Sequence, residues 1–371
     1  MILLPLEVVN LNRPNAIWLW DNSESQYVDL TNNVNADTDF NFLSDADDKI
    51  YIGDFRRFTG LYADLTSAGN YTSLSYSYSG NENAWKSLQL IDNYQFSESK
   101  YQRWTLSMND WVKINFTETT PHPATPVDTI ERYWVRLSAS SVVSAATIDK
   151  LRIFPFISYT TPDKVSDFLQ VKHNFDYSTI PTDLAVEDFI RRAEDYIIYR
   201  TRKSWRTEAV TEETDPILID HNRYGFYPRH RDFSKVYSVQ MWNGNAWQTL
   251  TEGRTGDYFI NYNLGMIYIT RLFLLPAMYG MSGRYLLWGY GEYKNSIKLD
   301  YLWGRNPETD VEFYIAEDIA TKLAARDILQ HADFSKLIVS GVDKVPYSDK
   351  VRLLTEDVET KLDSLCGVIL Y

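Results

Sequence analysis

The stretch Glu187-Asp188-Phe189-Ile190-Arg191-Arg192-Ala193-Glu194-Asp195-Tyr196, running on to Thr201-Arg202-Lys203-Ser204-Trp205, decides how the rest of the chain is read. Val186, Phe189, Ile190, Ala193, Ile197 and Thr201 fall at three- and four-residue steps and mark one apolar face of a helix. Thr182 or Ser178 is the candidate N-cap, and Asp183, Glu187 and Asp188 put negative charge near the first turns. Arg200, Arg202, Lys203 and Arg206 make the far end basic, as the helix dipole favours. The predicted helix therefore extends to Trp205.

After this helix the period changes to two. Pro216 to Ile219, Val236 to Trp242, Ala246 to Leu250, Asp257 to Tyr262, Met266 to Ile269, Tyr285 to Trp288 and Ser296 to Tyr301 read as strands. Asn243-Gly244-Asn245 and Asn263-Leu264-Gly265 are hairpin turns between them. The helical period then returns. Val311, Ile315, Ile319 and Leu323, with Phe313, Ala316, Ala320 and Ala324, form a stripe over residues 310–331. Val351, Leu354, Val358, Leu362 and Leu365 form another over 348–365. Helices this short need partners to bury their stripes, and the first helix is the natural third wall.

Before the first helix the chain reads as all-β. Ile17-Trp18-Leu19-Trp20, Lys49-Ile50-Tyr51-Ile52, Tyr71 to Tyr78, Ser87 to Leu90, Trp111 to Phe116, Tyr133 to Leu137 and Lys150 to Ile153 are short strands divided by turns such as Ser79-Gly80-Asn81. Their spacing suits a β-sandwich of jelly-roll type. Residues 158–181, with Pro162 and Pro181, read as a junction without sustained periodicity. The expected fold class is thus α+β and multidomain: a sandwich over 1–160, a linker and first helix over 161–207, an inserted β-domain over 208–304, and helices with a C-terminal tail over 305–371. Asn83-Ala84-Trp85-Lys86-Ser87-Leu88 and Asn245-Ala246-Trp247-Gln248-Thr249-Leu250 echo each other, which shared hairpin chemistry explains more simply than duplication.

Composition removes several functional classes. With 37 Lys and Arg against 50 Asp and Glu, the net charge is −13, opposite to that of an electrostatically driven DNA binder. An acidic wall still lets a duplex slide past without sticking. The 27 Tyr and 11 Trp suit sheets and packed surfaces between subunits. Cys366 is the single cysteine, so neither an intrachain disulfide nor a cysteine zinc cluster is expected. Met1 to Leu6 lacks the basic flank and cleavage site of a signal peptide, and the apolar run from Tyr268 to Met281 is broken by Arg271 and Pro276.

Candidate chemistry is sparse. Asp37, Asp39, Asn41, Asp45 and Asp48 fall at ligand positions of a calcium loop, but Phe42 stands where the sharp turn needs glycine. A solvated acidic loop is the simpler reading. His122, His173, His221, His230 and His331 show no zinc spacing, and no phosphate-loop, dinucleotide or nucleophile-elbow motif occurs. No cofactor and no enzymatic activity are expected. Trp85, Trp104, Trp111 and Trp134 are either sugar-stacking platforms or sandwich core.

The layout resembles the head-to-tail adaptor (connector) proteins of tailed bacteriophages. The residues that carry the resemblance are Thr201-Arg202-Lys203-Ser204-Trp205, Tyr301-Leu302-Trp303-Gly304, and Ala320-Thr321-Lys322-Leu323-Ala324-Ala325-Arg326-Asp327. It covers roughly residues 164 to 366; the family usually has a shorter insertion and lacks the N-terminal β-domain. The resemblance implies a virion protein of the neck, a subunit of a twelve-fold ring bound to the portal and to the next neck or tail protein, surrounding the DNA exit channel. It also implies that the C-terminal residues Val368, Ile369, Leu370 and Tyr371 insert into the portal, the alternative being a tail folded back on its own helices. Arg223, Arg229, His230 and Arg231 form the most basic loop of the insertion and would face DNA phosphates or an acidic neighbour in the ring. The N-terminal sandwich would hold a fibre or the capsid. A carbohydrate- or receptor-binding module, or a baseplate or tail component, is the alternative function.

Overall fold

The computed structural model describes residues 11–80, 84–92, 94–105, 110–116, 128–171, 174–176, 178–215, 225–242, 245–253, 255–262, 264–269, 297–330 and 347–366. These group into two compact units: 11–192 with 323–330, and 193–322 with 347–366. The division falls inside the first long helix, at 192/193, so residues 161–192 group with the sheets that precede them.

Among the described residues the first unit holds two main antiparallel sheets beside a two-stranded pair of Asn70–Tyr71 with Val142–Ser144. The larger runs in the order Gln26–Asp29, Ala16–Asp21, Lys49–Asp54, Asp128–Ala139, Leu74–Ser79, Trp85–Ser87, with Ile114–Phe116 also paired to Asp128–Ala139. The smaller runs Phe40–Phe42, Ala146–Pro155, Phe58–Ser67, Lys100–Arg103. Their inner faces share one core, to which Ile50, Ile52, Val135, Leu137 and Tyr76 come from the larger sheet and Leu61, Ala63, Ile148 and Leu151 from the smaller. Each isoleucine, leucine and valine among them, fully buried, contributes about 1.5–3 kcal/mol. Apart from the neighbours Ala16–Asp21 and Gln26–Asp29, Leu74–Ser79 and Trp85–Ser87, and Ile114–Phe116 and Asp128–Ala139, which pair within the larger sheet, successive strands of the two sheets alternate between them. A helix, α1 (Thr31–Ala36), lies in one of these crossings and adds Val34 to the core.

Besides Phe40–Phe42, two strands of the smaller sheet, Phe58–Ser67 and Lys100–Arg103, escape the sequence reading for physical reasons. Gly60 interrupts the apolar alternation of the first, because a Cβ there would stand 2.5 Å from the Gln102 carbonyl. The second is polar in sequence, yet Gln102 is fully buried, its amide donating to the Asp92 and Arg103 carbonyls and accepting from the Tyr94 N–H. The acidic stretch is likewise less solvated than expected. Asp48 is buried and accepts from the backbone N–H groups of Asn22, Ser44 and Asp45, while Asp37 pairs with Arg13 and Arg152.

Residues 162–169, read as part of an irregular junction, form α2 (Pro162–Leu169). Thr161 caps it by accepting from the Lys164 N–H, and Pro162 occupies the first turn, where no N–H is needed. Next comes α3 (Asp183–Thr201), capped by Thr182 through the Ala185 N–H at 3.3 Å. Its first half is tied to the sandwich by Arg57. That guanidinium reaches Glu187 at 2.6 Å, Asp188 at 2.9 Å and the Leu184 carbonyl at 3.2 Å, and stacks 4.5 Å from the centre of the Phe156 ring. Burial pushes the Glu187 carboxyl up against the opposing pull of Arg57. Val186, Phe189 and Ile190 pack with Ile157, Val165 and the later residues Ala324 and Ile328.

In the second unit α3 ends at Thr201, short of the expected Trp205. The Thr201 hydroxyl bonds back to the Ile197 carbonyl and Arg202 takes a left-handed conformation (φ 58°), which closes the helix. A four-stranded antiparallel sheet follows in the order Glu208–Asp215, Ile297–Trp303, Phe233–Trp242, Trp247–Thr249, with a three-stranded one in the order Gly225–Phe226, Met266–Ile269, Tyr258–Asn261. The sheets share a core of Phe226, Phe233, Val239, Ile267, Leu299 and Tyr301 among others. The two expected hairpins pair here, Trp242 opposite Trp247 and Asn261 opposite Met266. The expected strands at 216–219 and 285–288 lie outside the described residues. Both echo segments begin an edge strand, Trp85–Ser87 and Trp247–Thr249. Helices α4 (Phe313–Gln330) and α5 (Tyr347–Cys366) are the last regular elements among the described residues. Among the described residues no helix is long and apolar enough to cross a membrane.

Candidate functional site

Two separated segments that carry the family resemblance meet in the second unit. Past the end of α3, Ser204 offers its carbonyl to the Arg305 N–H at 2.7 Å. One residue earlier Gly304 (φ 143°) passes so close that a Cβ would stand 2.9 Å from the Arg206 carbonyl. Only glycine combines that backbone with that approach. Trp205 is fully buried beside the junction and its indole N–H donates to Asp310 at 2.9 Å. Arg305 is held by Asp232 at 2.9 Å, Asp310 at 3.2 Å and Glu312 at 2.9 Å, and stacks 6.0 Å from the centre of the Trp205 ring.

Asp310 is the hinge of this network. It accepts from the Glu312 N–H at 3.0 Å at the entrance to α4, where a negative side chain complements the helix dipole. Partial burial raises its carboxyl, but the Glu312 N–H, the Trp205 indole and Arg305 outweigh that and hold it below the ordinary value. Lys203 bridges to Glu312 at 2.8 Å and donates to the Leu365 carbonyl at 2.8 Å, capping the end of α5. Along α5, Glu359 accepts from Tyr196 and Arg200 of α3 at 3.0 and 3.1 Å, and Asp357 pairs with Lys322 of α4 at 2.6 Å.

Arg206 closes the junction from the other side. Its guanidinium is nearly inaccessible and contacts Glu194 at 2.5 Å, Asp195 at 2.7 Å and Glu208 at 2.6 Å. Glu194 is itself fully buried. Sequence reading placed Arg206 at the helix end as a dipole partner; in the structure it folds back one turn beyond the terminus to meet carboxylates of the helix body. Spacing alone could not have shown this, because the reversal at Arg202 sets the direction.

The residues singled out from sequence fare unequally. Val368, Ile369, Leu370 and Tyr371 lie outside the described residues, as does Arg223. Arg229 and Arg231 are exposed on the segment leading to Phe233–Trp242, and the Arg229 N–H donates to Glu213 at 2.7 Å. Between them His230 is stacked on Trp303, ring centroids 3.7 Å apart, and Arg231 lies 4.4 Å over Tyr227. Arg229, His230 and Arg231 therefore share one surface segment, with the imidazole face engaged by an aromatic ring. Among the four tryptophans, Trp104 and Trp111 belong to the sandwich core, packed on Phe58 at 5.6 and 5.3 Å. Trp85 and Trp134 lie on the opposite, outer face of the larger sheet. Among the described residues no group of three or more potential metal ligands is present.

No family model and no curated protein sequence matches the chain. Among solved structures, the neck of an empty GTA particle computed with C6 symmetry aligns with 52% of this chain and 87% of its own at 12% identity, with a TM-score of 0.28. A pectin-binding carbohydrate-binding module aligns over 31% of this chain and 70% of its own at 12% identity, with a TM-score of 0.16. At these scores neither likeness bears on fold or function.

Proposed function

We propose that this chain is a structural protein of a phage-like virion, a ring subunit of the neck that joins head to tail. The observation that carries the reading is the junction at Trp205 and Gly304. Lys203, Ser204, Trp205 and Gly304, which carry part of the adaptor resemblance and lie far apart in sequence, meet there with Arg305, Asp310 and Glu312 and join α3, α4 and α5 to the inserted sheets. A rigid joint of this kind suits a subunit that transmits load and does no chemistry. Apolar side chains left at the surface of the same unit support assembly with neighbours: Val311 is 82% exposed, Tyr314 70% and Tyr199 65%. Head-to-tail contacts between unlike faces close such subunits into a ring, here of twelve copies. In this reading the segment after Cys366 enters the portal, and Arg229 and Arg231 face a neighbour or the passing duplex.

Gold-labelled antibody on intact and tailless particles, viewed by negative-stain microscopy, tests the proposal. Label at the neck is the expected result; label at fibre tips or the distal tail, or on no particle, refutes it. Deleting residues 367–371 should leave the fold intact and abolish docking to the portal. Unchanged docking would sink the role assigned to the tail.

A further inference from the structure

We propose that the outward face of the larger sandwich sheet binds an oligosaccharide, a function beyond the neck reading and independent of it. Strand alternation and register define the face. Trp20 stands opposite Tyr27, Trp18 opposite Tyr51, Tyr51 opposite Arg136, and Arg136 opposite Ser77. In the adjoining rows Ser138 stands opposite Ser75, and Ser79 opposite Trp85. The residues between them on each strand, such as Ile50, Ile52, Val135 and Leu137, point into the core.

This face has two halves of different chemistry. One is aromatic: centroids step from Trp20 to Tyr27 at 4.9 Å, from Tyr27 to Tyr51 at 6.2 Å and from Tyr51 to Trp85 at 5.6 Å, and Trp18 packs with the same group. The other is a run of hydroxyls, with Ser75 and Ser138 2.8 Å apart. Arg136 sits at the border, its Nε donating to Ser77 at 3.1 Å and its guanidinium 4.8 Å from the Trp85 ring centre. Trp18, Tyr27 and Trp85 are half-buried and Ser75 is exposed, so the outermost layer reaches solvent over a packed base of Trp20, Tyr51 and Trp134.

Each half answers one requirement of a sugar ring. The C–H face of a pyranose carries partial positive charge and lies on the negative face of an aromatic ring. Its hydroxyls need groups that both donate and accept, which serine supplies, while arginine offers a planar fork to paired oxygens. A helix-binding groove would instead present large aliphatic side chains. Among the described residues of this hydrophobic cluster the aliphatic members are Ala16 and, at one end, Ile114, beside six aromatic side chains.

The test uses the full chain and soluble oligosaccharides of glucose, galactose, mannose, xylose and galacturonate, followed by tryptophan fluorescence and calorimetry. Binding of at least one series is expected, weakened about tenfold or more by Trp18→Ala or Trp85→Ala. Trp85→Phe, which keeps a ring, should retain part of the affinity, and near-UV dichroism should show both alanine variants folded. Silence across all five series overturns the proposal, as does binding that both alanine variants leave unchanged. Capture of a protein partner abolished by the same variants, without sugar binding, would reassign the face and equally refute it. Label at the neck bears on none of these outcomes.

Discussion

Replacing Arg206 with methionine should break the second unit's most buried ion-pair cluster. The arginine and Glu194 side chains are 2% and 0% exposed, so the substitution takes a cation away from a carboxylate with no access to solvent. Removing one partner of a buried pair costs about 3–5 kcal/mol. The losses at Asp195 and Glu208, whose side chains are 53% and 31% exposed, add little because water screens them, about 0–1 kcal/mol each. The expected loss for Arg206→Met is therefore about 3–5 kcal/mol, almost all of it from Glu194. Adding Glu194→Leu should recover most of that loss, since an apolar pair of similar volume often matches a buried ion pair. Urea denaturation at neutral pH, followed by fluorescence with the slope checked for constancy, measures both variants. A loss below about 1 kcal/mol for Arg206→Met would refute the reasoning, as would a double variant no more stable than the single one.

Three further outcomes are expected. Gly304→Ala places a side chain on a backbone at φ 143° and 2.9 Å from the Arg206 carbonyl, so about 2–4 kcal/mol should be lost in the same denaturation assay. Asp310 titrates below its ordinary value of 3.8 in the folded chain, so its stabilising contribution is complete above that value and fades as pH falls through the lower folded one. Asp310→Asn should then lower the thermal midpoint at pH 7, by a margin that shrinks steadily as the pH is taken below 3.8. Trp104→Ala opens the sandwich core and leaves the Phe58 carbonyl without its indole donor, for a loss of about 3–5 kcal/mol by calorimetry.

Local periodicity carried much of this molecule in the sequence. The stripes over 310–331 and 348–365 predicted α4 and α5 to within a few residues at each end, because a helix depends on neighbours three and four positions away. The two hairpins around Asn243-Gly244-Asn245 and Asn263-Leu264-Gly265 were legible for the same reason, since their strands are adjacent in the chain. Composition and spacing alone, without any fold, left this chain with no recognisable catalytic motif.

What only the tertiary structure decided depends on distant partners. Whether a tryptophan in an alternating strand faces core or solvent follows from which sheet receives the strand, and that sent Trp104 inward and Trp85 outward. Gly60 and Gln102 look like interruptions until their strands pair, when the missing Cβ admits the neighbouring backbone and the buried amide is satisfied. Arg206 reads as a helix-end charge until the left-handed turn at Arg202 swings it back onto Glu194. The sequence by itself determined the long helices and the hairpins, through interactions within a few residues. The tertiary structure decided their faces and their polar partners, because those interactions join residues that the chain separates and only folding brings within bonding distance.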